Sequence, residues 1–167
     1  YCAGTLVILA RYQPDEVLAT VERERINVFP GSPTVFVGLL SHPLFGTTDW
    51  RSVHTCYSGA AALAAATLAR WQEAVGAPVF EGYGMTEDNS YSHTSWGQFS
   101  EPGYVGVPME GVQVRLSPDG EVLIKSPAAC AGYYKQPELT KESFTDDGYF
   151  RTGDLGERRA DGMLKIT

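Results

Sequence analysis

The 167 residues carry 13 basic and 20 acidic side chains, a net charge of −7, with 43% hydrophobic and 20% charged residues. That balance belongs to a folded chain rather than a disordered one, and it lacks the basic face that binding of nucleic acid requires. No apolar run approaches the roughly 20 residues of a membrane-spanning helix, so neither nucleic acid nor a transmembrane segment is expected.

The chain begins at Tyr1 rather than Met and stops at Thr167 directly after a strand-like run, and it is read as an internal piece of a longer protein. Its three cysteines, Cys2, Cys56 and Cys130, are odd in number and far apart. They form no Cys-x-x-Cys pair and have no metal-ligand spacing to His42, His54 or His93. They are read as buried thiols in a reducing compartment.

Residues 5–10, TLVILA, form a continuous apolar run rich in branched side chains, which predicts a strand covered on both faces. Pro14, Asp15 and Glu16 suit a first helical turn. Val17, Leu18 and Val21 make an apolar stripe, while Glu22, Arg23 and Glu24 stay in water. A short strand over residues 27–30 would complete a parallel βαβ unit. Ser32 and Pro33 open a second helix through Leu40 that is apolar almost all round, which fits burial or a wall facing an apolar ligand.

Residues 53–57 predict a third strand, running into Ser58, Gly59 and an alanine-rich helix over residues 63–75 that Gly76 ends. Residues 78–81 predict the strand that delivers the turn EGYGMTE, residues 81–87. Asp88 is expected to point to water, and His93, in the polar run 89–95, to lie on the surface.

Beyond Trp96 the composition changes to glycine, proline and short alternating strands. Strands are predicted over residues 112–116, 121–125, 131–134, 156–159 and 163–166, with Asp119-Gly120 and Asp161-Gly162 as hairpin turns. The fold class expected is therefore α/β: a parallel βαβ layer with helices, then a small antiparallel β-barrel-like subdomain. The division is expected at residues 1–96 and 97–167.

Two stretches carry chemistry. In EGYGMTE, Gly82 and Gly84 lack a Cβ and let a ligand approach the backbone. Tyr83 offers a flat face on which a base can stack, worth about 1–3 kcal/mol in nucleic-acid sites. Thr86 can donate to a phosphate oxygen, and Glu87 supplies one hard carboxylate of the kind that holds Mg²⁺ together with substrate phosphates. The same residues also suit a glycine-punctuated strand end with an exposed Thr and Glu. In YFRTGDL, residues 149–155, Asp154 can accept both hydrogen bonds of a ribose diol or can cap a turn; the residues alone leave both open.

GYGMTE resembles the signature of the adenylate-forming (AMP-binding) superfamily, which includes acyl-CoA synthetases, luciferases and the adenylation domains of peptide synthetases. Residues 132–167, from GYYKQPELTKESF to the KIT run, resemble that family's second signature block, in the same order. SGAAAL, residues 58–63, resembles its SGGAPL turn, with Ala60 where glycine is common and Ala62 where proline is common.

The resemblance implies that Tyr83 stacks on adenine and that Gly59, Ala60 and Ala61 wall the slot. It places Glu81, Gly82, Gly84, Met85 and Thr86 along the nucleotide, Asp154 on the ribose and Glu87 on Mg²⁺, with Thr86 and Glu87 as the catalytic pair. The implied parent is most like a long-chain fatty acyl-CoA synthetase, using ATP, Mg²⁺ and coenzyme A with a carboxylic acid. Its expected place is the cytoplasm, with peripheral contact at a membrane left open. Two other readings remain: an adenylation domain loading an amino or aryl acid onto a carrier protein, and a nucleotide-binding homologue without turnover. The family's phosphate loop and catalytic lysine have no counterpart in these residues, so the chain by itself is expected to lack activity.

Overall fold

The computed structural model describes residues 4–167, and Cys2 lies outside them. Helix α1 (Pro14–Arg23) has proline in its first turn beside Asp15 and Glu16, and it buries Val17, Leu18 and Val21 as the stripe predicts. Strand β1 (Val28–Gly31), helix α2 (Pro33–Leu40), strand β2 (Thr55–Ser58), helix α3 (Ala65–Val75) and strand β3 (Val79–Met85) follow. Strands β1, β2 and β3 are parallel neighbours. The α/β layer is thus present, with its βαβ units built on α2 and α3.

Residues 5–10 depart from expectation. They form no strand, and Leu6 and Ile8 are largely exposed. Among the described residues, strand β1 stands at the edge of the sheet with no ladder on its outer side. An apolar run becomes a strand only where its N–H and C=O groups find partners.

Under the sheet, Trp71 of α3 is fully buried among Phe29, Phe36, Phe45 and Trp50. Its Nε1–H points at Cys56 Sγ, 3.3 Å away. Burial pushes the Cys56 thiol up to about 11, so it is a core thiol and not a nucleophile. Cys130 is only half-buried.

The predicted turn at residues 81–87 is instead mostly strand. β3 continues through Met85 and pairs antiparallel with β4 (Ser90–Thr94), and a short 3-10 turn at Thr86–Asp88 joins them. Gly84 makes this possible, because a Cβ there would collide with the Ser90 carbonyl. Strand β5 (Val107–Pro108) completes a five-stranded sheet in the order β1-β2-β3-β4-β5.

Strands β6 (Gln113–Leu116), β7 (Glu121–Lys125), β8 (Phe150–Arg158) and β9 (Leu164–Ile166) form a second, antiparallel sheet. Its hairpin turns are those read from Asp119-Gly120 and Asp161-Gly162, where Gly120 and Gly162 take positive φ. Residues 131–134 are a loop rather than a strand, followed by helix α4 (Pro137–Ser143). Val122, Ile124 and Leu164 form a second core with Val105, and Tyr83 and Met85 of β3 pack against it. The alternation of β3 therefore aims Tyr83 at the second sheet. No helix among the described residues is long and apolar enough to cross a membrane.

Candidate nucleotide site

Tyr83 leaves β3 toward β8 and donates its hydroxyl to Asp154 Oδ2 at 2.6 Å, joining residues 71 apart in sequence. Asp154 is exposed and follows Gly153, which takes a φ of +76. Burial first, and then the Asp154 carboxylate, push the Tyr83 phenol well above its ordinary value, so it remains a donor. A carboxylate has about four lone-pair positions. Asp154 can hold Tyr83 and still accept from a diol.

The two turns of the first sheet also meet. β2 and β3 are adjacent and parallel, with Ser58 opposite Glu81. Gly59, Ala60 and Ala61 therefore emerge beside Glu81 and Gly82 at the carboxyl ends of the strands, where open α/β sheets bind ligands. Ala60 takes φ +70, a left-handed conformation that costs a residue with a Cβ about 1–2 kcal/mol. Ala60 and Ala61 are exposed and Gly59 is buried.

Glu81 is only 5% exposed and acts as a clamp: it accepts from the Leu63 N–H at 3.1 Å and the Gly103 N–H at 3.4 Å. Burial raises its carboxyl above the usual range, against those two hydrogen bonds. Its observed contacts anchor the wall rather than touch open space. Met85 is half-buried against the second core, and Thr86 is exposed.

Glu87 is half-buried, and its Oε1 accepts from the Tyr133 hydroxyl at 2.8 Å. The Cys130 N–H donates to the Glu87 carbonyl at 2.7 Å. Tyr133 is held in turn by its own N–H, which donates to Thr140 Oγ1 of α4 at 2.8 Å. Among the described residues no cluster of three or more His, Cys, Asp or Glu could cage a metal. One carboxylate with a fixed oxygen suits Mg²⁺ shared with substrate phosphates, since that ion keeps water and phosphate ligands. It does not suit an all-protein cage.

Two neighbours contradict the sequence reading. Asp88, expected in water, is 3% exposed, and neither of its carboxylate oxygens has a partner among the described residues. His93, expected on the surface, is fully buried. Its Nδ1 lies 2.9 Å from Ser92 Oγ, its Nε2 has no partner among the described residues, and its ring sits 5.9 Å from that of Tyr83. Burial, helped by Arg158, lowers its pKa to about 4, so the ring is neutral near pH 7. The register explains the inversion, because His93 stands opposite Tyr83 and shares its inward face.

Sequence reasoning also passed over Tyr133, although it lies in the second signature block, and over Tyr91. A tyrosine's role as an orienting donor depends on which residue folding brings to its hydroxyl.

The family profile described as AMP-binding enzyme matches residues 1–134. The chain is 30% identical over 174 aligned residues to a long-chain-fatty-acid–CoA ligase of Bacillus subtilis (strain 168), covering 96% of the chain and 31% of that relative. It is 33% identical over 158 residues to a malonate–CoA ligase of Arabidopsis thaliana, covering 86% of the chain and 26% of that protein.

Among solved structures, ATP-bound MatB from Rhodopseudomonas palustris superposes with a TM-score of 0.84 at 34% identity, covering 95% of the chain and 33% of that protein. The anthranilate CoA ligase AuaEII in complex with anthranoyl-AMP superposes with a TM-score of 0.86 at 29% identity, covering 92% and 31%. The chain spans about a third or less of the length of these relatives.

Proposed function

The chain belongs to the AMP-binding enzyme family, and from that premise we propose that it forms the adenosine- and metal-binding part of an ATP-dependent acid–CoA ligase. In this reading residues 1–96 carry the adenine and metal sites, and residues 97–167 carry the ribose aspartate. A carboxylate oxygen of the acid attacks the α-phosphorus of ATP, the bond to pyrophosphate breaks, and acyl-AMP forms. The thiol of coenzyme A then attacks the acyl carbon, loses its proton, and AMP leaves.

Tyr83 stacks on adenine, and Gly59, Ala60 and Ala61 close the slot with the backbone of Gly82 and Gly84. Asp154 holds the ribose hydroxyls, and Thr86 donates to a phosphate oxygen. Glu87, oriented by Tyr133, holds Mg²⁺, which when bound offsets phosphate charge. Glu81 and Met85 fix the strand that carries Tyr83.

The observation that carries this reading is the 2.6 Å hydrogen bond from Tyr83 to Asp154. It sets a flat aromatic face and a diol-accepting carboxylate side by side, the spacing an adenosine demands. Likeness to the Bacillus ligase supports a long-chain fatty acid as the acid, and likeness to the malonate–CoA and anthranilate CoA ligases supports CoA as the acceptor.

ATP–pyrophosphate exchange by the full-length protein, run over a panel of acids, tests it. Exchange with at least one acid is expected. Asp154→Ala should raise the KM for ATP by about 10-fold or more, the worth of one or two hydrogen bonds to a charged group. ATP binding without exchange for any acid would instead favour a homologue that binds without turnover. Acyl transfer to a carrier protein but not to CoA would favour an adenylation domain.

A further inference from the structure

The ladder between β7 and β8 breaks where Asp154 emerges. Glu121 pairs with Leu155 and Leu123 with Arg151, so three residues of β8, Thr152, Gly153 and Asp154, stand opposite Val122 alone. Extra residues of this kind form a bulge, which commonly re-aims a side chain beside a functional site. Here the side chain at its end is Asp154.

The amides of a bulge are lost to the ladder and need other partners. Thr152 donates its hydroxyl to the Val122 carbonyl at 2.7 Å and accepts the Asp154 N–H at 3.1 Å. The Gly153 N–H donates to Glu121 Oε1 at 3.0 Å, on the neighbouring strand. The other Glu121 oxygen lies 3.5 Å from Arg151 Nη1. Glu121 is itself fixed across the Asp119-Gly120 hairpin: its N–H donates to Ser117 Oγ and its carbonyl accepts the Ser117 N–H, both at 2.9 Å. Glycine takes positive and negative φ about equally, so the φ of +76 at Gly153 is held by its contacts. The Glu121 carboxylate is the charged one among them.

From the other side, Tyr83 holds Asp154 Oδ2. The aspartate is thus tied at its backbone by the bulge and at its carboxylate by a phenol. We propose that Glu121 is a positioning residue of the sugar site: it locks the bulge that presents Asp154 to a ribose diol, and so sets the preference for a ribonucleotide over one that lacks both hydroxyls. Glu121 acts through the Gly153 N–H rather than by touching the sugar. This rests on the ligase reading above.

Calorimetric titration of the full-length protein with ATP and with 2′,3′-dideoxy-ATP, both with Mg²⁺, reads the sugar contribution as a ratio of affinities. Wild type should favour ATP by about 10-fold or more, the worth of hydrogen bonds to a carboxylate. Glu121→Ala should weaken ATP binding by about that factor, leave dideoxy-ATP within about twofold, and bring the ratio close to one. Glu121→Gln keeps an oxygen acceptor for the Gly153 N–H and should restore most of the ratio. Glu121→Leu, which fills the space without an acceptor, replaces an alanine variant that fails to fold.

A wild-type ratio in the alanine or leucine variant overturns the proposal. So does an equal loss for both nucleotides, the mark of a residue that only stabilises the fold. Wild-type protein that binds the two nucleotides alike, or binds neither, defeats the ribose role of Asp154 and the proposal together. Sugar discrimination that depends on Glu121, without pyrophosphate exchange for any acid, upholds the proposal and defeats the ligase reading alone.

Discussion

At the scale of single residues, the site depends on donors that reach carboxylates from distant elements. Tyr133 is the clearest case, because its hydroxyl fixes one oxygen of Glu87 across 46 positions of sequence. The Glu87 carboxylate in turn holds the Tyr133 phenol above its ordinary value, so the group stays protonated and donating at neutral pH. Partners that orient a metal ligand commonly change metal affinity by 10–100-fold when lost. Tyr133→Phe should therefore raise the Mg²⁺ concentration for half-maximal exchange by about 10-fold, with KM for ATP unchanged once Mg²⁺ is saturating. A phenol that merely packs would leave the Mg²⁺ titration where it was.

At the scale of an element, β4 shows how one added residue distributes side chains between two faces. The bulge at Ser92 sends His93 inward beneath Tyr83 and Tyr91 outward over the glycines. Burying His93 has a pH cost with a definite sign. Below its ordinary pKa of 6.5 the unfolded chain takes up a proton that the folded chain refuses until about pH 4, so this contribution to stability is full above 6.5 and falls as pH drops through that window. The whole loss amounts to roughly 3 kcal/mol. Urea unfolding at about pH 7 and about pH 5 should show wild type losing stability that a His93→Asn variant does not lose to the same extent. Equal losses in the two proteins would mean that His93 is protonated in the fold.

At the scale of the whole molecule, the site exists only because the two sheets are docked. The Val105 N–H donates to the Leu164 carbonyl, and the Leu164 N–H donates to the Gly106 carbonyl, both at 2.9 Å. Gly106 takes φ +84, and a Cβ on it would strike the Thr94 carbonyl of β4. Arg159 adds an outer tie to Glu101 at 2.7 Å, an exposed pair of the kind worth at most about 1 kcal/mol. Gly106→Ala should cost about 3 kcal/mol by combining left-handed strain with a backbone clash. The change should appear as a lower denaturation midpoint together with weaker ATP binding, since β8 carries Asp154. Gly46→Ala, where a Cβ meets nothing within 4 Å, is the control.

Much of this protein was legible from local pattern. The stripe of α1, the glycine ending α3, the two Asp-Gly hairpins and the change from α/β to antiparallel strands all follow from periodicity and turn chemistry within a few residues. The glycine–tyrosine–acid block and Asp154 stood out as candidates because their residue types are poor choices for a core.

Folding alone decided which of these groups meet. It left residues 5–10 without a ladder, carried β3 straight through the expected turn, buried Asp88 and His93, and gave Tyr91 and Tyr133 their neighbours. Periodicity reports which side of its own element a residue occupies. The partner waiting on that side stands tens of residues away, and a single bulge can exchange the sides.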